Sequence, residues 1–447
     1  MIEQLLDLVR RRSGAQGGGG ADCLWRQSER TSIAFESGRL KTAGITEEAG
    51  VNLRVVSGGR VGIAGSTAVD AAPAALVERA LASAELGELL ALEFPPSAPL
   101  PRLPTSFERA GSASLDTLIA IGRELAERLA REGCQVNVTV EREIASTRVA
   151  NTVGADGSYQ STGVAISAEV WRISGNDVLA IGDGFEGADL PTRDAIAALV
   201  QSIESRLELA LTIVDSPEGS LPVVFTPAGL SALFLPVTQA LLGKAVLQGI
   251  SPLAGKVGEQ MFDPAFAVVD DPLAVGRSAS RPIDDECVPS RATPLIERGV
   301  VKQFLYDLET AARAGTASTG HGQRGIFSKP VPGYSNIIIG DGKNVGARHA
   351  VPLLGGGLIT DIKDGLLVDD LIGVGQGNVI GGAFSHPVAL AYRIERGQIT
   401  GRVKDAAIAG NSYDLLKHIG GFGNDRRWYG ARSTPSLLLE GVSVAGR

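Results

Sequence analysis

One stretch restricts the folds open to this chain more than any other: Asp364 to Asn411, DGLLVDDLIGVGQGNVIGGAFSHPVALAYRIERGQITGRVKDAAIAGN. Gly365, Gly373, Gly375, Gly377, Gly381 and Gly382 crowd its first half. Glycine loses more chain entropy on folding than any other residue, so this density belongs where the backbone takes positive φ or is approached closely. The flank alternates as a strand does, with Leu390, Tyr392 and Ile394 on one side and Arg393 and Glu395 on the other. Arg396-Gly397 reads as a hairpin turn into Gln398-Ile399-Thr400. The glycines are therefore expected as loops or bulges over a groove in a β framework.

A chain of 447 residues exceeds what one core usually holds, so two domains are expected. The polar Pro/Gly stretch VDSPEGSLP places the boundary near 216–221. Residues 1–215 are read as a mixed domain of antiparallel sheet with helices. Residues 216–447 are read as a larger, mostly antiparallel β structure curled on itself, with a few helices. Strands and helices in mixed order, without a βαβ rhythm, make the fold class α+β.

A net charge of −8 argues against a nucleic-acid backbone as main ligand. Cys23, Cys134 and Cys287 are odd in number and far apart, which suggests a reducing compartment. The start, MIEQLLDLVRRR, lacks the apolar core of a secretory signal, and no apolar run is long enough to span a membrane. A cytoplasmic location is expected.

In order, residues 2–12 read as a helix with Ile2, Leu5, Leu6 and Val9 on one face. Gly17 to Gly20 read as a flexible turn, because no helix follows to bind a phosphate. A strand meander is expected over 31–65 with a turn at Ser57-Gly58-Gly59, then a helix near 70–87. FPPSAPLPRLP, 94–104, is an extended connector inside the first domain. A helix over 115–132, strands from Gln135 to Ile173 and a helix over 193–212 complete this half. The second half opens with a strand at Leu221–Phe225. A helix from Pro227 to about Leu247 follows, kinked or broken at Pro236. Beyond it the chain reads as strand-like to the end, apart from short helices near 307–314 and 411–418. IERG occurs at 296–299 and 394–397, one turn solution used twice.

The histidines are His321, His349, His386 and His418, and no two lie within five residues of each other. A helical HExxH zinc site is therefore absent. His349 and His418 are read as surface or capping residues. His321, in the polar loop STGHGQRG, has the best claim of the four to touch a ligand, although loop histidines are more often structural. Asp284-Asp285-Glu286 and Asp369-Asp370 could hold a cation but read better as solvated acidic turns. GVGQGN lacks the following helix and ribose-binding acid of a dinucleotide site. GxSxG is absent, and Cys23 and Cys287 are expected to be inert thiols.

Several blocks, in order, carry a resemblance. VNLRVVSGGRVGIAGST, DDECVPSRATPLIERGVVKQFLYDLETAARAGTASTGHGQRG, GLLVDDLIGVGQGNVIGGAFS, DAAIAGNSYDLLKHIGGFGND and PSLLLEGVSVAG are similar to the TldD/PmbA family. Its members were first described as modulators of DNA gyrase and later as two-subunit peptidases. The resemblance implies two kinds of subunit. The TldD kind carries HExxxH on a helix early in the second half, with a later cysteine completing its zinc site. Here the matching helix is PAGLSALFLPVTQALLGKAVLQG, with Leu235, Pro236 and Ala240 about where ligands and base would lie, and Phe422 and Gly423 about where the cysteine would fall.

The chain thus resembles the PmbA (TldE) kind. No catalytic or metal-ligating residue is expected in this chain, and zinc is expected in a TldD-type partner. The resemblance implies a heterodimer whose chamber admits extended or modified peptides, such as leader peptides or labile antitoxins, with this chain forming part of the wall. It places Tyr306, Asp307, Ser318, Thr319, His321 and Asn378 near the chamber or the subunit contact. Ala383 stands where family members often have an acid. The alternative reading is a homo-oligomeric peptide-binding or scaffold protein without peptidase activity.

Overall fold

The computed structural model describes residues 1–13, 19–68, 72–340, 354–355 and 357–446. Gly17, Gly18 and His349 lie outside the described residues. The first half is built on a six-stranded antiparallel sheet: β1 (Ala21–Glu36), β2 (Arg39–Ser57), β3 (Arg60–Ser66), β4 (Cys134–Asn151), β5 (Asp156–Ser174) and β6 (Asp177–Gly187). The spatial order is β3-β2-β1-β4-β5-β6. The meander is longer than its alternation suggested. β1 begins at Ala21 because Cys23 and Leu24 are both fully buried, one on each face, which blurs the period-2 pattern.

Two helix pairs cover different ends of this sheet. Helices Ile2–Ser13 and Pro73–Glu85 bury Leu5, Val9, Leu76 and Val77 against Cys23, Leu53 and Val55. Helices Leu115–Leu129 and Arg193–Leu209 bury Leu118, Leu125, Leu199 and Ile203 against Phe35, Val138, Ile166 and Val170. Ser114 and Thr192 cap these two by accepting from Thr117 N–H and Ala195 N–H, and a lost cap of this kind costs about 1 kcal/mol. The proline-rich stretch 94–104 is an irregular connector, as its composition requires.

The second half closes on itself. Strands Asp364–Leu371, Gly219–Phe225, Leu437–Ala445, Ala407–Asn411 and Ala383–Glu395 pair in succession, and the last pairs back with the first. Ring closure removes sheet edges. Leu366 and Val368 pack into the core that holds helix Ser231–Ala240, while Leu367 joins the core shared with the first half. A second six-stranded sheet, centred on Ala267–Asp270 and Ile337–Gly340, lies in the same half. Among the described residues no helix is long and apolar enough to cross a membrane.

Both IERG segments are two-residue hairpin turns with left-handed backbone at each central position. Arg298 and Gly299 have φ of 50° and 76°, and Arg396 and Gly397 have 52° and 79°. Positive φ at both positions is the type I′ signature that matches strand twist. Of the kink or break expected at Pro236, the break does not occur. Helix Ser231–Ala240 runs through the proline, and the chain leaves helical geometry at Leu242 instead. There the Gly243 N–H donates to Leu305 O (2.7 Å) and the Leu305 N–H to Leu241 O (2.9 Å), so a strand-like pairing captures the backbone. Residues 248–292 also differ from the strand-like expectation. Apart from Ala267–Asp270 they are irregular, organised by buried side chains rather than by a ladder.

The largest correction concerns the acids read as solvated turns. Asp284, Asp285 and Glu286 are all buried, and Asp369 is buried as well. Glu286 accepts from Arg54 Nη1 at 2.6 Å and from the Leu308 N–H at 2.7 Å. Asp285 accepts from Arg26 (3.0 Å), and Asp22 accepts from Arg54 Nε (3.1 Å) and Arg324 (2.8 Å). Asp369 accepts from Arg206 (2.7 Å) and Thr226 (2.6 Å). Asp284, Asp285, Glu286 and Asp369 come from the second half and Arg26, Arg54 and Arg206 from the first, so sequence neighbours gave no hint of partners. Buried charge persists only when paired, and these pairs tie the two halves together.

Asp22, Asp284, Asp285, Glu286 and Asp307 outnumber the arginines among them, and this imbalance makes the cluster sensitive to pH. Burial raises the Glu286 carboxyl most, Arg54 opposes it, and Asp284, Asp307 and Asp22 raise it further, to about 8. Burial also acts on Asp22, but there Arg324 and Arg54 win and hold the carboxyl below the usual range. A carboxyl whose folded value is raised contributes stability below its unfolded value and loses it as pH rises through the folded value. Thermal stability is therefore expected to fall as pH is raised from 6 to 9. Glu286→Gln, which keeps an acceptor for the Leu308 N–H, should flatten that fall; unchanged slopes in a melting series would contradict the assignment.

Candidate functional site

The candidate residues gather at two places, each set by local backbone demands. The first is the loop system 304–323. Tyr306 donates its N–H to Thr319 Oγ1 (2.8 Å), and its carbonyl accepts from the Thr319 N–H (3.1 Å) and Ser318 Oγ (3.1 Å). Asp307 is the N-cap of helix Leu308–Ala314, accepting from the Thr310 N–H at 2.8 Å in a capping box. Thr319 Oγ1 lies 3.0 Å from His321 Nδ1, and His321 Nε2 lies 2.9 Å from Asp270 Oδ2. Asp270 also accepts from the Ser335 N–H (2.9 Å) and Ser335 Oγ (2.5 Å).

Hydroxyl, imidazole and carboxylate are thus connected in the order of a nucleophilic triad. The chain cannot act as one, because Thr319, His321 and Asp270 are all buried and the threonine oxygen is occupied by the Tyr306 backbone. Its effect is to pin the 318–323 loop to the centre of the second half's smaller sheet. Asp307, Thr319 and His321 therefore face the interior. Tyr306 and Ser318 are half-buried, with the Tyr306 ring edge-on to Phe304 at 6.4 Å. Asp270 gave no sequence signal, since it ends an apolar strand of ordinary composition.

The second place is the helix Ser231–Ala240 and what lies across it. Gly373, Gly375, Gly377 and Gly382 all take positive φ, as the glycine density demanded. A side chain at Gly375 would touch Leu235 at 3.6 Å, and one at Gly382 would run into the Tyr413 ring at 2.4 Å. Tyr413 is the strap: its Oη lies 3.1 Å from Pro236 O and 2.9 Å from Ile380 O, and donates to one of them at a time. Asn411 caps the short helix Ser412–Leu415 and donates to Gly381 O at 3.2 Å. Asn378 is exposed on this loop, apart from the Tyr306 system, and Ala383 is exposed at the start of its strand.

Tyr413→Phe keeps the ring and removes the hydroxyl that joins helix to loop. It is expected to lower stability by ~1–2 kcal/mol in urea unfolding, with the loss of protection in hydrogen exchange concentrated at 372–382. Equal protection in both proteins would remove the strap.

The helix presents no metal chemistry at the positions compared above. Leu235 and Ala240 are alkyl, and Pro236 has its nitrogen in the chain. Phe422 is half-buried against the apolar core, and the Gly423 N–H donates to Ser436 O at 2.9 Å. Zinc takes nitrogen, sulfur or carboxylate ligands, so this set does not fit the ion. Among the described residues no group of three or more His, Cys, Asp or Glu side chains is placed to share a metal. Nor do Cys23 and Cys287 offer a nucleophile. Burial pushes the Cys23 thiol up to about 12 and raises that of Cys287 as well.

Comparison with known proteins gives a consistent picture. Residues 218–446 match the family model described as the PmbA/TldA metallopeptidase C-terminal domain, and residues 21–84 match its domain 1. A metalloprotease of Methanothermobacter thermautotrophicus is 27% identical over 437 residues, covering 91% of this chain and 88% of that protein. The metalloprotease TldD homolog of Haemophilus influenzae is 27% identical over 431 residues, covering 89% and 84%. The crystal structure of TldE from Thermococcus kodakarensis superposes with a TM-score of 0.86 at 25% identity, covering 98% of this chain and 99% of that one. Relatives of both kinds are thus similar along nearly the whole length, and overall likeness does not separate them.

Proposed function

This chain belongs to the PmbA/TldD metallopeptidase family, and we propose that within it the chain is the subunit without zinc of a two-subunit peptidase. The observation that carries this reading is the helix Ser231–Ala240, whose half-buried Leu235 and buried Pro236 and Ala240 carry no metal-binding side-chain atom where a metal-bearing relative would supply ligands. A TldD-type partner then brings the ion and the hydrolytic water. This chain supplies wall: the glycine loop 372–382, exposed over Gly375–Asn378, suits an extended peptide that approaches backbone closely. Half-buried Tyr306 and Ser318 and exposed Asn378 are the candidates to meet peptide or partner. Asp307, Thr319 and His321 act behind them as supports. Three free cysteines, two of them buried, support a reducing, cytoplasmic setting.

Purification of the tagged chain from its native host tests the pairing. A partner of similar size carrying HExxxH is expected in stoichiometric amount. Recovery of the chain without any such protein would favour the scaffold reading instead.

A further inference from the structure

The irregular segment 276–283 of the second half crosses one face of the first sheet. The Ala188 N–H donates to Gly276 O at 2.9 Å. A side chain at Gly163 would meet Ser278 Cβ at 3.4 Å, and one at Gly157 would run into Ile283 at 2.7 Å. Arg281, between Ser278 and Ile283, therefore lies over the part of β5 that holds Tyr159 and Ser161, and its charge acts on the Tyr159 hydroxyl.

This arginine is 8% exposed, and neither its Nε nor its Nη2 has a partner. Arg54, Arg142, Arg206, Arg277, Arg324 and Arg402 are buried too, yet each donates to an acid or a backbone carbonyl. Among the described residues Arg281 is the one buried arginine whose side chain makes no hydrogen bond or ion pair. The acids beside it are occupied. Asp284 accepts from the N–H groups of Glu286 (2.9 Å), Val288 (2.8 Å) and Gly322 (2.9 Å). Asp285 accepts from Arg26 (3.0 Å) and the Arg324 N–H (2.9 Å). A buried guanidinium left this way calls for an anion from outside the chain.

The neighbouring sheet surface restricts what carries that anion. Residues on this face form rows across β1, β4 and β5: Arg26, Thr147 and Tyr159, then Ser28, Ala145 and Ser161, then Arg30, Glu143 and Gly163. The middle row has no bulky side chain. Beyond it a cleft of about 290 Å³ opens between the sheet and Ser278, lined by Glu141, Glu143 and Glu186. Glu143 pairs with Arg30, and Glu186 accepts from Ser278 Oγ at 2.6 Å. Glu141 makes no ion pair among the described residues.

We propose that this cleft binds a short peptide, its terminal carboxylate on Arg281 and its free amino group among Glu141, Glu143 and Glu186. Poles of opposite sign at the two ends suit a zwitterion, whereas phosphate or a simple carboxylic acid would bring the glutamates nothing to pair with. Distance sets the length. Rows on one face are roughly 7 Å apart, so one or two steps separate the poles by about 7–13 Å, which an extended chain of roughly two to four residues spans. In a single amino acid the two charges are too close together. The site draws no residue from the glycine loop and needs no zinc-bearing partner, so it stands or falls apart from the peptidase reading.

Calorimetric titration of the full chain with trialanine, in buffer free of carboxylates and phosphate, should show saturable binding. Trialanine amide and N-acetyl-trialanine should each bind about tenfold more weakly or worse, and acetate or phosphate should not displace trialanine. Arg281→Met should weaken trialanine to the same degree, yet melt no lower than the parent without ligand, because it removes an unpaired buried charge and no bond. Glu141→Gln should weaken trialanine and leave N-acetyl-trialanine as it was. No binding of trialanine, equal affinity for its amide, or displacement by acetate or phosphate would overturn the proposal.

Discussion

Arg54→Met is expected to lower stability by ~3–5 kcal/mol, more than any other single change in the first sheet. Arg54 is the largest fully buried side chain among the described residues, 1% exposed, and its guanidinium serves Asp22 and Glu286 at once. Methionine fills much of the same volume, so packing loss is a minor part of the effect. What remains is two carboxyl groups in the interior, only one of which keeps another arginine, Arg324 on Asp22. Glu286 also accepts from the Leu308 N–H, at the start of the helix capped by Asp307. The damage should therefore spread from β2 into the 304–321 loop, visible as faster hydrogen exchange there. Arg54→Lys keeps the charge but not the fork and should fall between the two. Adding Glu286→Gln to Arg54→Met should recover part of the loss, because the pair couples. A variant within ~1 kcal/mol of the parent would show that the network is not what joins the halves.

The sequence readily disclosed those elements whose pattern is local. Alternation over Leu390, Tyr392 and Ile394, now all buried, placed the longest strand of the closed ring. The repeated Arg-Gly dipeptides placed two I′ turns, since glycine tolerates positive φ and the hairpin demands it. Helix Arg193–Leu209 followed from spacing, though its end came earlier than expected. Tertiary capture of the backbone was not legible. The end of helix Ser231–Ala240 depends on Leu305, more than sixty residues away, which no local propensity encodes.

Polar residues misled for a related reason. Asp284-Asp285-Glu286 has the composition of a solvated turn, and only its distant partners Arg54, Arg26 and Arg324 make it interior. His321 stood out as a loop histidine, but Asp270 and Thr319 turn it into a buried clasp. Tyr413 was missed entirely, because a tyrosine after Asn-Ser carries no motif; only the fold brings its hydroxyl to Pro236 and Ile380. Resemblance placed Tyr306, Asp307, Ser318, Thr319, His321 and Asn378 near a chamber or subunit contact, but could not say that Asp307, Thr319 and His321 face the interior.

The central claim is that this chain shapes a peptidase chamber whose metal another chain holds. The direct test is to measure zinc content and hydrolysis of an unfolded peptide for the purified chain alone, and again after mixing with its HExxxH-bearing partner. The account predicts less than ~0.1 zinc per chain and no cleavage alone, and about one zinc per pair with cleavage once both are present. One tightly held zinc on the isolated chain, with peptide hydrolysis lost on chelation, would contradict it.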